Sequence, residues 1–213
     1  MDMIVEQALI KWPNVPHCFG WLGLDARGAW RMQAPQNSEK PACGIQTKKL
    51  PSEKIRHPVL LDFINRNYTH DAQGRWYFQN GPQRVYIDLE STPYIARTDP
   101  AGHFSLHTGA QMTCVETVWL SEQGKVYLQQ KDTVALLDDR DMAQWLTRVY
   151  MDGSIINDEH LLAWLDKPID EAISFQWQGR SISIKPIFEQ GVAAHFGFIR
   201  LPRRANSSSA TFT

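Results

Sequence analysis

The sequence predicts an α+β fold of two similar ββαβββ-like units, mostly antiparallel strands with one packed helix in each. Three observations lead there. A loop of one composition recurs at Asp25-Ala26-Arg27-Gly28, Asp71-Ala72-Gln73-Gly74 and Ser121-Glu122-Gln123-Gly124, each followed two residues after the glycine by an aromatic or aliphatic side chain. The leading Asp or Ser can bond backbone groups ahead of it and the glycine takes positive φ cheaply, so each loop reads as a hairpin turn. Two runs have helical spacing, Leu60, Leu61, Phe63, Ile64, Tyr68 and Met142, Trp145, Leu146, Val149. Elsewhere proline and glycine cut the chain into strand-sized pieces.

The first unit takes residues 1–110. Its opening, MDMIVEQALIKWP, has an acidic second residue and an apolar run ended by Lys11, too short for a secretory signal. Trp12-Pro13-Asn14-Val15-Pro16 forces extended chain into a hairpin near 20–33. Residues 34–54 break the pattern and carry Lys48, Lys49 and Lys54. They read as a solvated insertion, with a lid or basic contact arm as the functional alternative. Pro58 suits the first position of a helix near 57–68. After the Asp71 loop come a strand over Arg75–Gln79, the turn Asn80-Gly81-Pro82, and a strand whose Val85, Ile87 and Leu89 share one face. Arg84, Tyr86, Asp88 and Glu90 share the other, expected exposed, face. Short strands continue to about 108.

The second unit takes residues 111–202, starting with strands near 117–137. Asp138-Asp139-Arg140-Asp141 then forms the acidic first turn of a helix near 138–150, where carboxylates cap free N–H groups and complement the dipole. That account covers every residue of the alternative, a magnesium-binding DxD. Asn157-Asp158 starts a short helix with Leu161, Leu162 and Leu165, ended by Pro168. Strands are expected over 172–177, 181–187 and 193–201. Residues 203–213 lack a core-forming pattern and read as a disordered tail.

With 213 residues, 43% apolar and 21% charged, the chain can bury an ordinary globular core. A net charge of −1 and a pI near 6.6 supply no field toward nucleic acid or an anionic membrane surface. No window approaches ~20 apolar residues. Cys18, Cys43 and Cys114 stand far apart with no CxxC pair, which fits a reducing cytoplasm.

No GxSxG, phosphate-cradling glycine loop or HExxH occurs. Asp88 and Glu90 would stand about 7 Å apart on one strand face, a glycosidase-like spacing that is common in strands. His103 and His107, with Cys114 beyond, are the nearest approach to a metal site but lack a third ligand and supporting shell. No cofactor is expected. Of eight tryptophans, Trp21, Trp30, Trp76, Trp119, Trp145 and Trp177 fall on strands or helix faces and belong to the core. The remaining aromatic surface can line a groove between the units.

The segments GLDARGAWRMQ, IRHPVLLDFINRNYTHDAQGRWYF, QRVYIDLESTPYIARTD, FSLHTG and VYLQQKDTVALLDDRDMAQWLTRVYMDG together resemble a family of uncharacterised proteobacterial proteins. Arg56 and Leu60 match the family's helix start, Glu90 to Tyr94 its turn, and Phe104 to Gly109 the strand after it. The resemblance runs from Gly20 to Asp152 and departs at the 34–54 insertion and beyond Asp152. It implies two repeated α/β motifs, a role in signalling and no established activity, and it carries over no functional residue.

The resulting expectation is a cytoplasmic module that binds a small molecule or protein through Arg84, Tyr86, Asp88 and Glu90, with Tyr94 and Arg97. Arginine would fix an anionic group and tyrosine would supply flat contact area. Two alternatives remain: a carboxylate-based hydrolase or transferase, and a structural subunit whose exposed strands pair in a homodimer.

Overall fold

The computed structural model describes residues 2–33, 52–166 and 173–203. Helix α1 (Met3–Lys11) precedes β1 (Cys18–Leu24) and β2 (Trp30–Gln33). β3 (Ser52–Lys54) leads to α2 (Pro58–Arg66), β4 (Tyr68–His70), β5 (Trp76–Asn80) and β6 (Gln83–Leu89). β7 (Tyr94–Thr98), β8 (Phe104–Leu106) and β9 (Gln111–Met112) follow, then β10 (Thr117–Ser121), β11 (Val126–Gln130) and β12 (Thr133–Leu137). A 3₁₀ turn over Asp139–Asp141 enters α3 (Met142–Leu146), and β13 (Val149–Met151), β14 (Ser154–Ile155) and α4 (Asp158–Asp166) come next. β15 (Ile173–Trp177), β16 (Arg180–Ile187), a 3₁₀ turn over Glu189–Gly191 and α5 (Val192–His195) complete the elements.

The strands form a six-stranded sheet, β3-β2-β1-β6-β5-β4, and a ten-stranded sheet, β14-β13-β15-β16-β10-β11-β12-β7-β8-β9. With helices alongside mostly antiparallel strands, the fold is α+β. Among the described residues three strand pairs are parallel: β1 with β6, β10 with β16, and β12 with β7. The register sets Leu22 beside Ile87 and Leu24 beside Leu89 in the first sheet, and Val118 beside Ile184 and Leu120 beside Pro186 in the second.

Alternation along the strands divides the interior. Val118, Leu120, Val126, Leu128, Ile182 and Ile184 pack with Trp145 of α3 and Trp164 of α4 in one core. The opposite face of the same sheet sends Tyr127, Val134 and Leu136 into a second core with Leu22, Trp30, Phe78, Ile87 and Leu89 of the six-stranded sheet. That second core lies between the sheets and joins early and late parts of the chain.

The hairpin loops form as their composition predicts. Asp25 accepts from the backbone N–H groups of Arg27 and Ala29 (3.0 and 2.8 Å), Asp71 from those of Gln73 and Arg75 (3.0 and 3.1 Å), and Ser121 Oγ from those of Gln123 and Lys125 (3.3 and 3.1 Å). In each, the glycine N–H donates to the leading residue's carbonyl. Asp99-Pro100-Ala101-Gly102 is a fourth example, with His103 N–H donating to Asp99 at 2.8 Å. Bonding of the Asp25 and Asp71 carboxylates outweighs the burial that would raise them, so both sit below the usual carboxylate range. Gly74 has a further constraint: at φ +73°, any Cβ would overlap the Gly197 carbonyl.

Several elements differ from the sequence reading. The opening residues form α1, because Asp2 ties its start to α2: Asp2 N–H donates to Asn67 Oδ1 at 2.8 Å and its carboxylate meets Arg66 at 3.3 Å. The helix near 138–150 stops at Leu146, since Val149 is claimed by strand pairing with Phe175. Asp138 does cap its turn, accepting from Arg140 N–H at 3.0 Å. In α4 the buried residue is Trp164, and Leu162 is 65% exposed. The strand expected over 193–201 is instead α5 and an irregular segment with one bridge, Ile199 to Arg75. Ser52–Lys54 pairs with β2 as a strand; the rest of the 34–54 insertion lies outside the described residues, as does the tail beyond Arg203. Trp30, Trp76, Trp145 and Trp177 are buried and Trp119 partly so, but Trp21 is 54% exposed. Among the described residues no helix is long and apolar enough to cross a membrane.

Candidate functional site

A cleft of about 510 Å³ opens where the six-stranded sheet meets the β7–β9 and β11–β12 end of the larger one, a volume in the range of small-molecule sites. Its inner wall is aromatic. Tyr68, at the start of β4, is buried and donates its hydroxyl hydrogen to the Pro93 carbonyl at 2.9 Å; burial holds that hydroxyl well above its ordinary pKa. Tyr94, at the start of β7, packs edge-on to Trp76 and Tyr68 with centroids 5.1 and 5.9 Å away. Its hydroxyl makes no hydrogen bond among the described residues, and burial raises its pKa.

Polar groups ring the rest. Asn65, near the end of α2, is fixed by Trp30 Nε1, which donates to its Oδ1 at 2.8 Å. Thr108 comes from the β8–β9 connection and Gln111 from the start of β9; Gln130 ends β11, Thr133 begins β12, and Lys131 and Asp132 form the turn between them. Two exposed bonds tie the turn: Lys131 N–H donates to Glu116 Oε2 and its carbonyl accepts from Gln129 Nε2, both at 3.2 Å.

Behind the tyrosines stands His107, its ring 5.3, 5.9 and 5.9 Å from those of Trp30, Tyr68 and Tyr94. Its Nδ1 accepts from the Ile95 N–H at 3.3 Å, which places the proton of the neutral ring on Nε2; Nε2 is buried with no hydrogen-bond partner among the described residues. Burial pushes its pKa down to about 3, only partly opposed by the Asp25 charge. Gly28 closes over it: a Cβ there would lie 2.7 Å from His107 Cβ.

The sequence-predicted residues do not converge on this cleft, Tyr94 excepted. Arg84, Tyr86 and Asp88 do alternate along the outer face of β6, with Glu90 just past its end, but Tyr86 is fully buried rather than exposed. Phe19 stacks on it at 4.5 Å, and its hydroxyl donates to Asp71 Oδ2 at 3.1 Å. Arg84 lies over the Tyr77 ring at 4.7 Å, Asp88 pairs with Arg203 at 2.9 Å, and Glu90 Oε2 accepts from the Ala26 N–H at 3.2 Å. Arg97, on β7 of the other sheet, is held by Asp141 at 2.9 and 3.2 Å. His103 is exposed and bonded to Asp99 at 3.1 Å, whereas His107 is enclosed by aromatic rings. Among the described residues no group of three or more His, Cys, Asp or Glu could hold a metal ion. Sequence reasoning missed Asn65, Thr108, Gln111 and the Lys131-Asp132 turn. The signal available for the last was a charged pair between two apolar runs, Val126-Tyr127-Leu128 and Val134-Ala135-Leu136-Leu137.

A second depression, of about 630 Å³, lies on the outer face of β13, β15 and β16 among Tyr150, Asp152, Ser174, Gln176 and Ser181. Tyr150 opposes Ser174 and Gln176 opposes Ser181 across neighbouring strands, so this is a sheet surface rather than an enclosure. The cleft, walled by two sheets, is the better candidate despite its smaller volume.

Fold and site together define an α+β protein of two sheets with an aromatic-backed cleft at their junction. Residues 1–203 match the family DUF2944, described as "Protein of unknown function (DUF2946)", and the chain belongs to it. No curated protein matches the sequence. Among solved structures, the crystal structure at 2.50 Å of a DUF1285 family protein from Silicibacter pomeroyi DSS-3 is similar over 81% of this chain and 84% of that one, with 13% identity and a TM-score of 0.47.

Proposed function

We propose that this chain is a non-catalytic cytoplasmic binding module, built from two duplicated α+β units, whose small-molecule ligand sits against Tyr94. The observation that carries the reading is a cleft lined from both halves of the chain, backed by two largely buried tyrosines, one with an unengaged hydroxyl. Buried aromatic area with a few convergent polar groups is the usual makeup of a ligand pocket. Free thiols at Cys18 and Cys114 fit a reducing compartment. In this reading the output is the bound state itself, which suits regulation or signalling.

Register supports duplication. Taking residues 1–110 and 111–202 as the units, β1, β2, α2, β4, β5 and β6 correspond to β10, β11, α3, β13, β15 and β16. Ile87 then matches Ile184 in the parallel pair, and Phe78, flanked by Tyr68 and Val85, matches Phe175, flanked by Val149 and Ile182. Gln79 N–H donates to the Asn67 carbonyl (2.9 Å) as Gln176 N–H does to that of Arg148 (2.8 Å). The buried residue of each helix, Ile64 and Trp145, precedes the paired residues Tyr68 and Val149 by the same interval. β7 and β8 close the first unit and β9 opens the second, outside this correspondence, and β14 with α4 interrupts the second.

Native mass spectrometry of freshly purified protein, before and after mild denaturation, tests the ligand reading. A retained organic mass present in the wild type and absent from Tyr94→Ala is expected. The same mass on both proteins would place the ligand elsewhere, and its conversion to a product on incubation would favour the carboxylate enzyme instead.

A further inference from the structure

The charge pattern of the cleft points to its ligand class, an inference that rests on the cleft being the ligand site. Of the residues lining it, only Lys131 and Asp132 are charged at neutral pH. Both are exposed, and neither side chain has an ion pair or hydrogen bond among the described residues, with each other included. A ligand with one charge would meet one like and one opposite sign. A ligand with both signs meets two opposite ones. We propose that the cleft selects a small zwitterion, with its ammonium toward Asp132, its carboxylate toward Lys131 and a carbon skeleton against Tyr94 and Leu106.

The turn places both side chains at the cleft rim: Lys131 N–H donates to Glu116 Oε2 and its carbonyl accepts from Gln129 Nε2. Its left-handed conformation (φ +50°) is shared by Asp152 and Gln178, both at φ +49°, and belongs to the turn rather than to the cleft. A skeleton that lies against Tyr94 and Leu106 while its two ends reach Lys131 and Asp132 needs methylenes between ammonium and carboxylate. That favours an ω-amino acid over an α-amino acid.

Isothermal titration calorimetry with 5-aminopentanoate tests this, using pentylamine and pentanoate as single-charge controls and glycine, 4-aminobutanoate and 6-aminohexanoate as a length series. The ω-amino acids are expected to bind at least about tenfold more tightly than either control, the difference one charge-assisted contact makes. Lys131→Met should reduce 5-aminopentanoate to the affinity of pentylamine, and Asp132→Asn to that of pentanoate, with thermal melting by circular dichroism unchanged. Equal affinity for a control, indifference to both substitutions, or no binding across the length series overturns the proposal. Tyr94→Ala separates it from the cleft reading. If Tyr94→Ala removes a purified organic mass while no ω-amino acid binds, the cleft stands and the zwitterion falls; if ω-amino acids bind equally without Tyr94, both fall.

Discussion

Across β5 and β6, Tyr77 opposes Tyr86 and Gln79 opposes Arg84; across β15 and β16, Ser174 opposes Ser183 and Gln176 opposes Ser181. The strand arrangement is the same and the solvent exposure is not. Tyr86 and Gln79 are 0% exposed, whereas Ser181 and Ser183 lie open. The first face is covered by the protein's own chain: Phe19 stacks on Tyr86, Arg75 and Arg84 lie over Tyr86 and Tyr77, and Arg203 reaches Asp88. The second has no such cover among the described residues. Hydrophobic alternation thus fixes which residues face the core, while the state of the opposite face depends on segments far away in sequence.

Substitutions that exchange the two faces give the largest expected effect. Tyr86→Ser, which puts on β6 the residue β16 carries at the matching register, should lower unfolding stability by about 3 kcal/mol in urea titrations. The reverse change, Ser183→Tyr, should stay within about 0.5 kcal/mol. Equal losses from both would show that the cover contributes nothing. Next is Gly74→Ala, where left-handed backbone and overlap with Gly197 predict a loss of about 2 kcal/mol in the same assay.

His107, behind the cleft, makes stability depend on pH. Its folded pKa of about 3 lies below the ordinary 6.5, so the unfolded chain takes up a proton that the folded one refuses. Its contribution is therefore complete above about 6.5 and lost as pH falls toward about 3, at up to ~1.4 kcal/mol per pH unit. Stability measured across that window should show a shallower acid slope in His107→Phe than in the wild type. The smallest effect is expected from Arg203→Ala: the arginine is half-exposed, and losing its pair with Asp88 should cost ~0.5 to 1 kcal/mol. A larger loss would mean the segment around Pro202 is anchored by this pair rather than by its backbone bonds.

What was legible in the sequence was local. The Asp25, Asp71 and Ser121 loops close through bonds within five residues, and α2 needs only its Pro58 start and apolar stripe. The alternation of Val85, Ile87 and Leu89 likewise placed the core correctly. Elements that depend on distant partners were not legible. α1 rests on Asn67 and Arg66, α3 is cut short by Phe175, and Ala193–Leu201 is shaped by contact with the Gly74 turn. The candidate site shows the same division. Tyr94 is recognisable as an aromatic beside a turn, but its cleft exists only because α2, β8, β9 and the β11–β12 turn converge on it.

The covering of β6 by residues 197–203 also imposes an order of events. Leu89 N–H donates to the Arg200 carbonyl, and Arg203 reaches Asp88 across 115 positions of sequence. During synthesis the six-stranded sheet emerges from the ribosome long before the segment that lies along its end. Until that segment arrives, the Leu89 N–H and the Gly74 carbonyl lack their final partners. Early contacts at such sequence separation slow folding and leave intermediates exposed to association. Nascent chains halted before Gly197 should therefore depend more heavily on chaperones than chains released after Arg203.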